Sequence, residues 1–250
     1  MAARERAFVR VAGPDACEHL QNLVSNDVEA LQVGGACPAL LLTAKARVIA
    51  PVVVWRRGEQ DFLVLTEPEL GDAVRALLVR MRLRLRCEVE AEEHASALVF
   101  GGEGIASELP GAVEVLDAGL EPTLDADELE RRRIEAAVPR WGRELDGRVL
   151  PAEAGLDATH ISFSKGCYPG QEPIARQHFR GKVNRRLRVL EVDGTPEPET
   201  PVVHDGKDVG RVTSAVPGLA LAYVRVSVPD DAALEVGGAA ARLHWPTGRP

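Results

Sequence analysis

The sequence predicts an α+β protein that ends in an all-β module. Three observations support this class. Apolar strand-like runs alternate with helical patterns over roughly the first two thirds of the chain. From about Val183 the pattern changes to short apolar segments split by Gly, Pro and Asp. The 250-residue length suits one or two domains. We predict a body of two interleaved subdomains over residues 1–184 and a small antiparallel β-barrel over residues 185–250.

The elements of the body follow in order. Gly13 and Pro14 open a helical pattern over residues 14–27, because proline suits a first helical position. Strands are predicted from apolar or alternating runs at 38–43, 47–55, 61–67, 82–92 and 96–102. Within the second of these, Pro51 predicts an edge position or a bulge. An amphipathic helix is predicted over residues 68–81.

The second half of the chain changes in character. Residues 101–121 are rich in Gly, Pro and acid, which predicts a loop or short elements. A helix follows over 124–138, with Asp125 or Asp127 as its cap. The barrel strands are predicted at 185–194, 200–214, 218–226 and 239–246.

Composition narrows the classes of function. The net charge of −8, the pI near 5.4 and an aromatic content of 4% argue against direct nucleic-acid binding. The four cysteines form no CxxC pair, and the N-terminus has no apolar signal region. No run approaches the ~18 apolar residues of a membrane span. We therefore expect a soluble cytoplasmic protein with no membrane partner.

The stretch "KGCYPGQE", residues 165–172, sets Cys167 between two glycines. A thiol becomes nucleophilic when positive charge lowers its pKa, and Lys165 lies two residues away. Cysteine is also among the most buried residue types, so a packing role stays open. A metal or iron–sulfur site is disfavoured, because the other cysteines are scattered and His160, Cys167 and His178 have no standard ligand spacing.

A second stretch is locally basic. Residues 176–188 contain six Arg or Lys and no acid, in a chain that is acidic overall. Such a cluster could hold an anionic ligand, a phosphate backbone or an acidic partner surface. The alternative is a solvated charge run on a strand edge.

Several segments resemble one family. Residues 133–187, with "RIEAAV", the "KGCY-x-GQE" core and the "NRRL" ending, resemble the folate-binding superfamily of the glycine-cleavage T-protein (aminomethyltransferase) and its YgfZ branch. "HLQNLVSNDVEAL", "LLTAKARVIAP" and "VGRVTSAV" resemble that superfamily's first helix, following strand pair and C-terminal barrel.

The resemblance implies a three-part ring around a central cavity that binds tetrahydrofolate or a related folate. It implies that Arg133 contacts the folate, as a guanidinium can fork onto a tail carboxylate. The remaining residues that it assigns to the ligand site or the functional loop are Glu135, Asn26, Lys165, Tyr168, Gln171 and Glu172. Cys167 is the functional thiol that it implies, and no stably bound iron–sulfur cluster is expected.

One position departs from the T-protein pattern. Where that pattern has the aspartate that serves methylene transfer, this chain has Pro51. Proline offers neither charge nor proton, so we do not expect aminomethyl transfer by the T-protein route. The YgfZ branch implies folate-dependent assembly, repair or maintenance of iron–sulfur enzymes, including tRNA-modifying ones. Iron–sulfur client proteins are then the expected partners.

Three alternatives stay open at this point. A tetrahydrofolate-dependent transferase or demethylase would need a replacement acid, for which Asp27 and Glu135 are the candidates. A thiol hydrolase would pair Cys167 with a histidine, either His160 or His178. A protein-binding scaffold without a ligand is the third.

Overall fold

The computed structural model describes residues 1–119 and 121–244. The chain divides into two compact units, and each is built from two separated segments. The first unit comprises Met1–Thr123 and Asp157–Arg176, and the second comprises Leu124–Leu156 and Gln177–Pro250. The end of the predicted barrel module, residues 245–250, lies outside the described residues, and so does the end of its last predicted strand.

The first unit contains two antiparallel sheets. Its strands are β1 (Ala2–Ala3), β2 (Ala7–Ala12), β3 (Ala36–Leu42), β4 (Val48–Gly58), β5 (Asp61–Thr66), β6 (Glu88–Glu92), β7 (Ser96–Phe100), β8 (Ile105–Ala106) and β9 (Ala112–Leu116). The larger sheet has the order β3-β4-β5-β2-β6, and the smaller has the order β1-β7-β9-β8. Phe8, Val53 and Leu63 of the larger sheet pack with Ile105 of the smaller one. Burial of these side chains stabilises the contact between the sheets.

Four α-helices accompany the strands in the described residues. They are α1 (Ala16–Gln21), α2 (Gly71–Met81, after a short 3-10 turn at Pro68–Leu70), α3 (Ala126–Glu135) and α4 (Gln171–Arg180). Asp125 caps α3, because its side chain accepts a hydrogen bond from the Glu128 backbone N–H. The prediction of Asp125 as a cap is confirmed. The division between the units falls inside α4.

The second unit contains the C-terminal barrel. Its strands are β10 (Arg185–Val192), β11 (Pro201–His204), β12 (Lys207–Val216), β13 (Leu219–Arg225), β14 (Leu234–Val236) and β15 (Ala239–His244). They close in the order β10-β13-β12-β11-β14-β15. Closure leaves β10 paired on both sides, with β13 and with β15. Only the β13 ladder reaches residues 185–188, since β15 pairs from Val189 onward, and residues 176–180 belong to α4. The alternative of a strand-edge charge run over residues 176–188 therefore stays a prediction.

Three local predictions need correction. The first helix is shorter than predicted, since α1 ends at Gln21. Residues 82–87 do not form a strand, although their apolar residues alternate; they form a turn after α2, and only Glu88–Glu92 pairs with β2. Tertiary contacts override the period-two pattern there. The helix α4 was not predicted, because its apolar residues are too few to show a helical period.

Pro51 does not lie on an edge strand. Its strand β4 pairs with β3 on one side and β5 on the other, so the expectation of an edge position is wrong. A shift in the β3–β4 register leaves Ile49 as an extra residue, which places a bulge two positions before the proline. The β5 ladder starts only after it, at Val52. A missing N–H is therefore tolerated at this position.

Candidate functional site

The loop of residues 165–170, which we call the KGCY loop, is held to the first unit by its lysine. The Lys165 ammonium donates hydrogen bonds to the backbone oxygens of Gln21 (2.6 Å), Val24 (2.7 Å) and Asn26 (2.9 Å). An ammonium has three N–H donors, so all the donors of Lys165 are used. The carbonyls belong to the end of α1 and the turn after it, where a cation is favoured. Lys165 is thus a buried side chain that holds the loop to the first unit.

Tyr168 and Gly170 hold the other end of the loop. The Tyr168 ring is buried with its centroid 5.3 Å from the Lys165 nitrogen, and burial raises the pKa of its phenol to about 12. Gly170 has a φ of +85°, and a Cβ added there would lie 2.6 Å from the Thr43 carbonyl oxygen. Only glycine fits both the conformation and the space. The loop therefore has a fixed base on both sides of Cys167.

Cys167 is the exposed residue between these anchors. It is the only one of the four cysteines that is exposed, and all four lie in described segments. Burial raises the pKa of each of the other three thiols, that of Cys37 to about 11. The thiol available to a partner or reagent is thus Cys167, which argues against the packing role that its residue type allows.

Gln171 and Glu172 follow the loop and begin α4. The Gln171 N–H donates to the Tyr168 carbonyl, which joins the loop to the helix. Glu172 is exposed and pairs with Arg176 one turn later, at 2.7 Å. An exposed pair of this kind adds little stability. Glu172 thus presents its carboxylate to Arg176 on the exposed side of α4.

Asn26 lies in the turn that receives the lysine. Its side-chain amide donates to the carbonyls of Pro38 (2.7 Å) and Thr159 (3.0 Å), and its oxygen accepts from the Asp27 N–H. The Asp27 carboxylate accepts from the side chain of Gln21. Both polar side chains are thus held within the protein fold. Asp27 gains no support as a replacement acid.

His160, one candidate base for a hydrolase, is buried. One ring nitrogen lies 2.8 Å from the Thr159 hydroxyl and the other lies 3.5 Å from the Glu108 carboxylate. Both ring nitrogens thus have partners other than Cys167, so the structure gives no support to a Cys167–His160 pair.

Arg133 and Glu135 lie on α3 in the second unit. The Arg133 guanidinium is buried and donates to both oxygens of Glu130 (2.9 and 2.7 Å), to the carboxylate of Glu144 (2.9 Å) and to the Val138 carbonyl (2.7 Å). Burial alone would lower the pKa of Arg133, but these two carboxylates raise it. Glu135 is partly exposed and faces Arg131 at 3.6 Å.

Glu144 completes this cluster, and sequence reasoning missed it. Its side chain is fully buried, and it accepts from the Ser214 hydroxyl at 2.7 Å and from the Arg140 N–H at 3.0 Å. The Tyr223 hydroxyl donates to its backbone oxygen at 2.9 Å. A glutamate between a tryptophan–glycine turn and a leucine carries no sequence signal for such a role. The cluster joins α3 to the barrel within the second unit.

The predicted site residues thus fall into two groups. Asn26, Lys165, Cys167, Tyr168, Gln171 and Glu172 belong to the first unit, and Arg133 and Glu135 belong to the second. Pro51, which stands where the T-protein pattern has its acid, contributes a backbone carbonyl that accepts from the Thr66 hydroxyl at 2.8 Å. Among the described residues, no group of three or more His, Cys, Asp or Glu is placed to hold a metal ion.

The fold identifies the class of protein. Residues 184–250 match the family described as "CAF17, C-terminal beta-barrel domain". The structure matches that of glycine cleavage system aminomethyltransferase T from Bartonella henselae with a TM-score of 0.79, covering 96% of this chain and 83% of that one at 17% identity. The chain therefore has the aminomethyltransferase T-protein fold with a CAF17-type C-terminal barrel, which confirms the predicted fold class. The ring and its central cavity stay predictions.

Two curated relatives are similar to this chain over most of its length. The chain is 25% identical to the "Iron-sulfur cluster assembly factor IBA57 homolog, mitochondrial" of Pyricularia oryzae over 96% of its own length and 75% of the relative. It is 27% identical to the "tRNA-modifying protein YgfZ" of Serratia proteamaculans over 74% of its own length and 68% of the relative. It spans only 56% and 59% of two further relatives described as IBA57 homologues. The resemblance to the YgfZ branch is thereby confirmed.

No helix among the described residues is long and apolar enough to cross a membrane.

Proposed function

We propose that this protein acts in the assembly, repair or maintenance of iron–sulfur enzymes, on a T-protein scaffold that no longer carries out T-protein chemistry. The names of the IBA57 and YgfZ relatives support the role. Pro51 in place of the acid argues against aminomethyl transfer. The tRNA-modifying description of the Serratia relative would fit if one client were an iron–sulfur enzyme that modifies tRNA. A cytoplasmic location stays a prediction, since the IBA57 relatives are described as mitochondrial.

The observation that carries the proposal is the exposure of Cys167 on a loop with a fixed base. Lys165 and Gly170 are immobilised on either side, while the thiol between them is open. Fixed presentation of one reactive group is what a functional site needs.

A single thiol limits what the protein can do with a cluster. Iron–sulfur clusters are usually held by about four thiolates, and no described group of residues offers such a set. Cys167 can instead contact a cluster held mainly by another protein, or carry a transient adduct, since the thiolate is both a metal ligand and a nucleophile. The role is therefore one of transient contact with a client or carrier.

Tetrahydrofolate is the ligand that the resemblance implies, but the predicted residues fit it poorly. A folate tail carboxylate would have to displace Glu130 from Arg133. The polar atoms of Lys165 and Asn26 are taken up by backbone groups. Calorimetric titration with tetrahydrofolate decides whether it binds, and saturation below millimolar concentration would restore it as a ligand.

The role is tested in bacterial cells that lack their own YgfZ protein. We expect this chain to restore the activity of iron–sulfur enzymes, and Cys167→Ser to fail at equal protein level. Cys17→Ser is the matched control and should restore activity as the wild type does, because its thiol is partly buried. Equal rescue by Cys167→Ser would remove the thiol from the proposal. Absence of rescue by the wild type would count against the iron–sulfur role itself.

A further inference from the structure

The last turn of α2 and the turn that follows it expose aliphatic side chains on the first unit. Val79 is 43% exposed, Met81 is 37% exposed and Leu83 is 85% exposed, so three large apolar residues within five positions face solvent. This segment was predicted to continue into a half-buried strand, and it does not. We call residues 79–86 the arginine–leucine turn. Three exposed large apolar side chains this near one another in the chain indicate a candidate interaction site.

The same segment is strongly basic. Between Val74 and Cys87 the chain has five arginines and no acid, although its net charge is −8. Two of the five help to hold the turn. Arg82 donates to the Cys87 carbonyl at 3.0 Å, and the Arg86 guanidinium donates two hydrogen bonds to the carboxylate of Asp15, the residue before α1. The exposed cations around the aliphatic side chains are Arg75, Arg80 and Arg84.

The base of the turn is fixed. The Asp15 carboxylate accepts from the Arg86 N–H at 2.7 Å and from its guanidinium at 3.1 and 3.2 Å. A Cβ on Gly13 would lie 2.6 Å from the Arg86 carbonyl oxygen, so two backbone segments meet here at close range. The Leu85 N–H donates to the Arg82 carbonyl at 2.9 Å. These contacts constrain the base of the turn, which lowers the entropy lost on binding.

Leu83 at the tip has a left-handed backbone, with a φ of +50°. Bulky residues rarely adopt this conformation, and glycine or asparagine would adopt it at lower cost. The least favourable backbone in the turn thus carries its most exposed leucine. A strained residue that exposes apolar area at a fixed position indicates function.

We propose that the arginine–leucine turn docks an acidic amphipathic segment of a partner protein, a helix whose apolar stripe is flanked by Asp and Glu. Aliphatic side chains would cover the stripe, and the exposed arginines would meet the carboxylates. RNA fits less well, because residues 74–87 contain no aromatic side chain on which bases could stack. This inference does not rest on the iron–sulfur role.

A defined peptide tests the proposal on the whole protein. The probe is a labelled helical peptide of about 18 residues, with a leucine stripe flanked by glutamates, followed by fluorescence anisotropy. We expect saturable binding that weakens about tenfold in Leu83→Asn, which keeps the left-handed backbone but removes the apolar area. Arg84→Glu should weaken it similarly. Val33→Asn, at a site 50% exposed elsewhere on this unit, and Lys207→Glu on the barrel should not.

Several results would overturn the proposal. One is no binding of the glutamate peptide at millimolar concentration, and another is equal binding of the same peptide with lysines in place of glutamates. Equal affinity of Leu83→Asn and wild type would remove the leucine from the interaction. If a single-stranded RNA binds more tightly than the peptide and depends on Arg84 but not Leu83, the surface is a phosphate site instead. Circular dichroism shows that each variant is folded.

Discussion

Two regions hold the charged residues that the T-protein resemblance assigned to a ligand, and they use them differently. In the first unit, Lys165 begins the KGCY loop and holds it to backbone carbonyls, while Cys167 in the same loop is exposed. In the second unit, Arg133 lies in a cluster with Glu144 that is closed to solvent. Both cations have their donors satisfied by the protein. The difference is that the first region also presents an exposed thiol, which is why we propose the functional site there.

The two cations also meet different acceptors. Lys165 meets neutral backbone carbonyls, so burial lowers its pKa to about 8. Arg133 meets two carboxylates, which hold its pKa above the ordinary value although burial opposes them. A cation with neutral partners can lose its proton in the accessible pH range, whereas one paired with carboxylates cannot. Measurements of the free energy of unfolding as a function of pH can therefore distinguish the two cations.

The largest effect is expected at Arg133. Arg133→Ala leaves the Glu144 carboxylate buried without its cation, which should cost about 3–5 kcal/mol of the free energy of unfolding. Urea denaturation measures this, with Arg143→Ala as the control on the exposed part of the same segment. If the two variants are equally stable, the cluster does not hold the second unit together, and Arg133 becomes available again for a ligand.

Lys165→Met should have a smaller effect at neutral pH. It removes three hydrogen bonds from the carbonyls at the end of α1 and should cost about 3 kcal/mol. Lys45→Met, at an exposed position, is the control. We expect amide hydrogen exchange to rise in residues 165–170 of the Lys165 variant. Unchanged exchange would mean that Tyr168 and Gly170 hold the loop alone.

The pH dependence distinguishes this lysine from Arg133. Its pKa is about 8 in the folded protein and near 10.5 when unfolded, so between these values the unfolded chain binds more protons. The free energy of unfolding should therefore rise with pH through this group from about pH 8 to about pH 10.5, relative to Lys165→Met. A difference between wild type and variant that stays constant over this window would contradict the neutral-acceptor account.

Gly170→Ala comes next. The substitution places a Cβ against the Thr43 carbonyl in a left-handed conformation, and we expect a loss of about 2 kcal/mol. Gly166→Ala is the matched control, because a Cβ there meets nothing within 4 Å. Equal stability of the two variants would show that the loop base can shift without cost.

The sequence predicted much of the fold, because strand periods, turns and the quoted motifs are local signals. The cap at Asp125 and the barrel strands other than β14 were found in this way, although the run predicted over 200–214 forms two strands, β11 and β12. The prediction of a strand over residues 82–87 was wrong, because the apolar residues there alternate as in a strand while contacts with Gly13 and Asp15 impose a turn. Such contacts join residues about 70 positions apart.

The candidate site was predicted less completely. The motif located the KGCY loop and its cysteine, but not the direction of each side chain. Lys165 was expected to activate the thiol or shape a ligand site, and it binds backbone carbonyls of residues 21–26 instead. Glu144, the centre of the second cluster, has no motif and became visible only through its partners.

The smallest effect on stability is expected at the residue with the largest effect on function. Cys167 is exposed, and its removal breaks none of the contacts that hold the loop, so Cys167→Ser should change the free energy of unfolding by no more than about 0.5 kcal/mol. Urea denaturation measures this, and alkylation followed by mass spectrometry should modify Cys167 well before Cys37, whose thiol has a pKa of about 11. Full stability combined with lost rescue would show that the fold holds this thiol for use and does not depend on it. A destabilisation of several kcal/mol, or alkylation of Cys37 first, would instead make Cys167 a structural residue like Lys165 and end the contrast between the two regions.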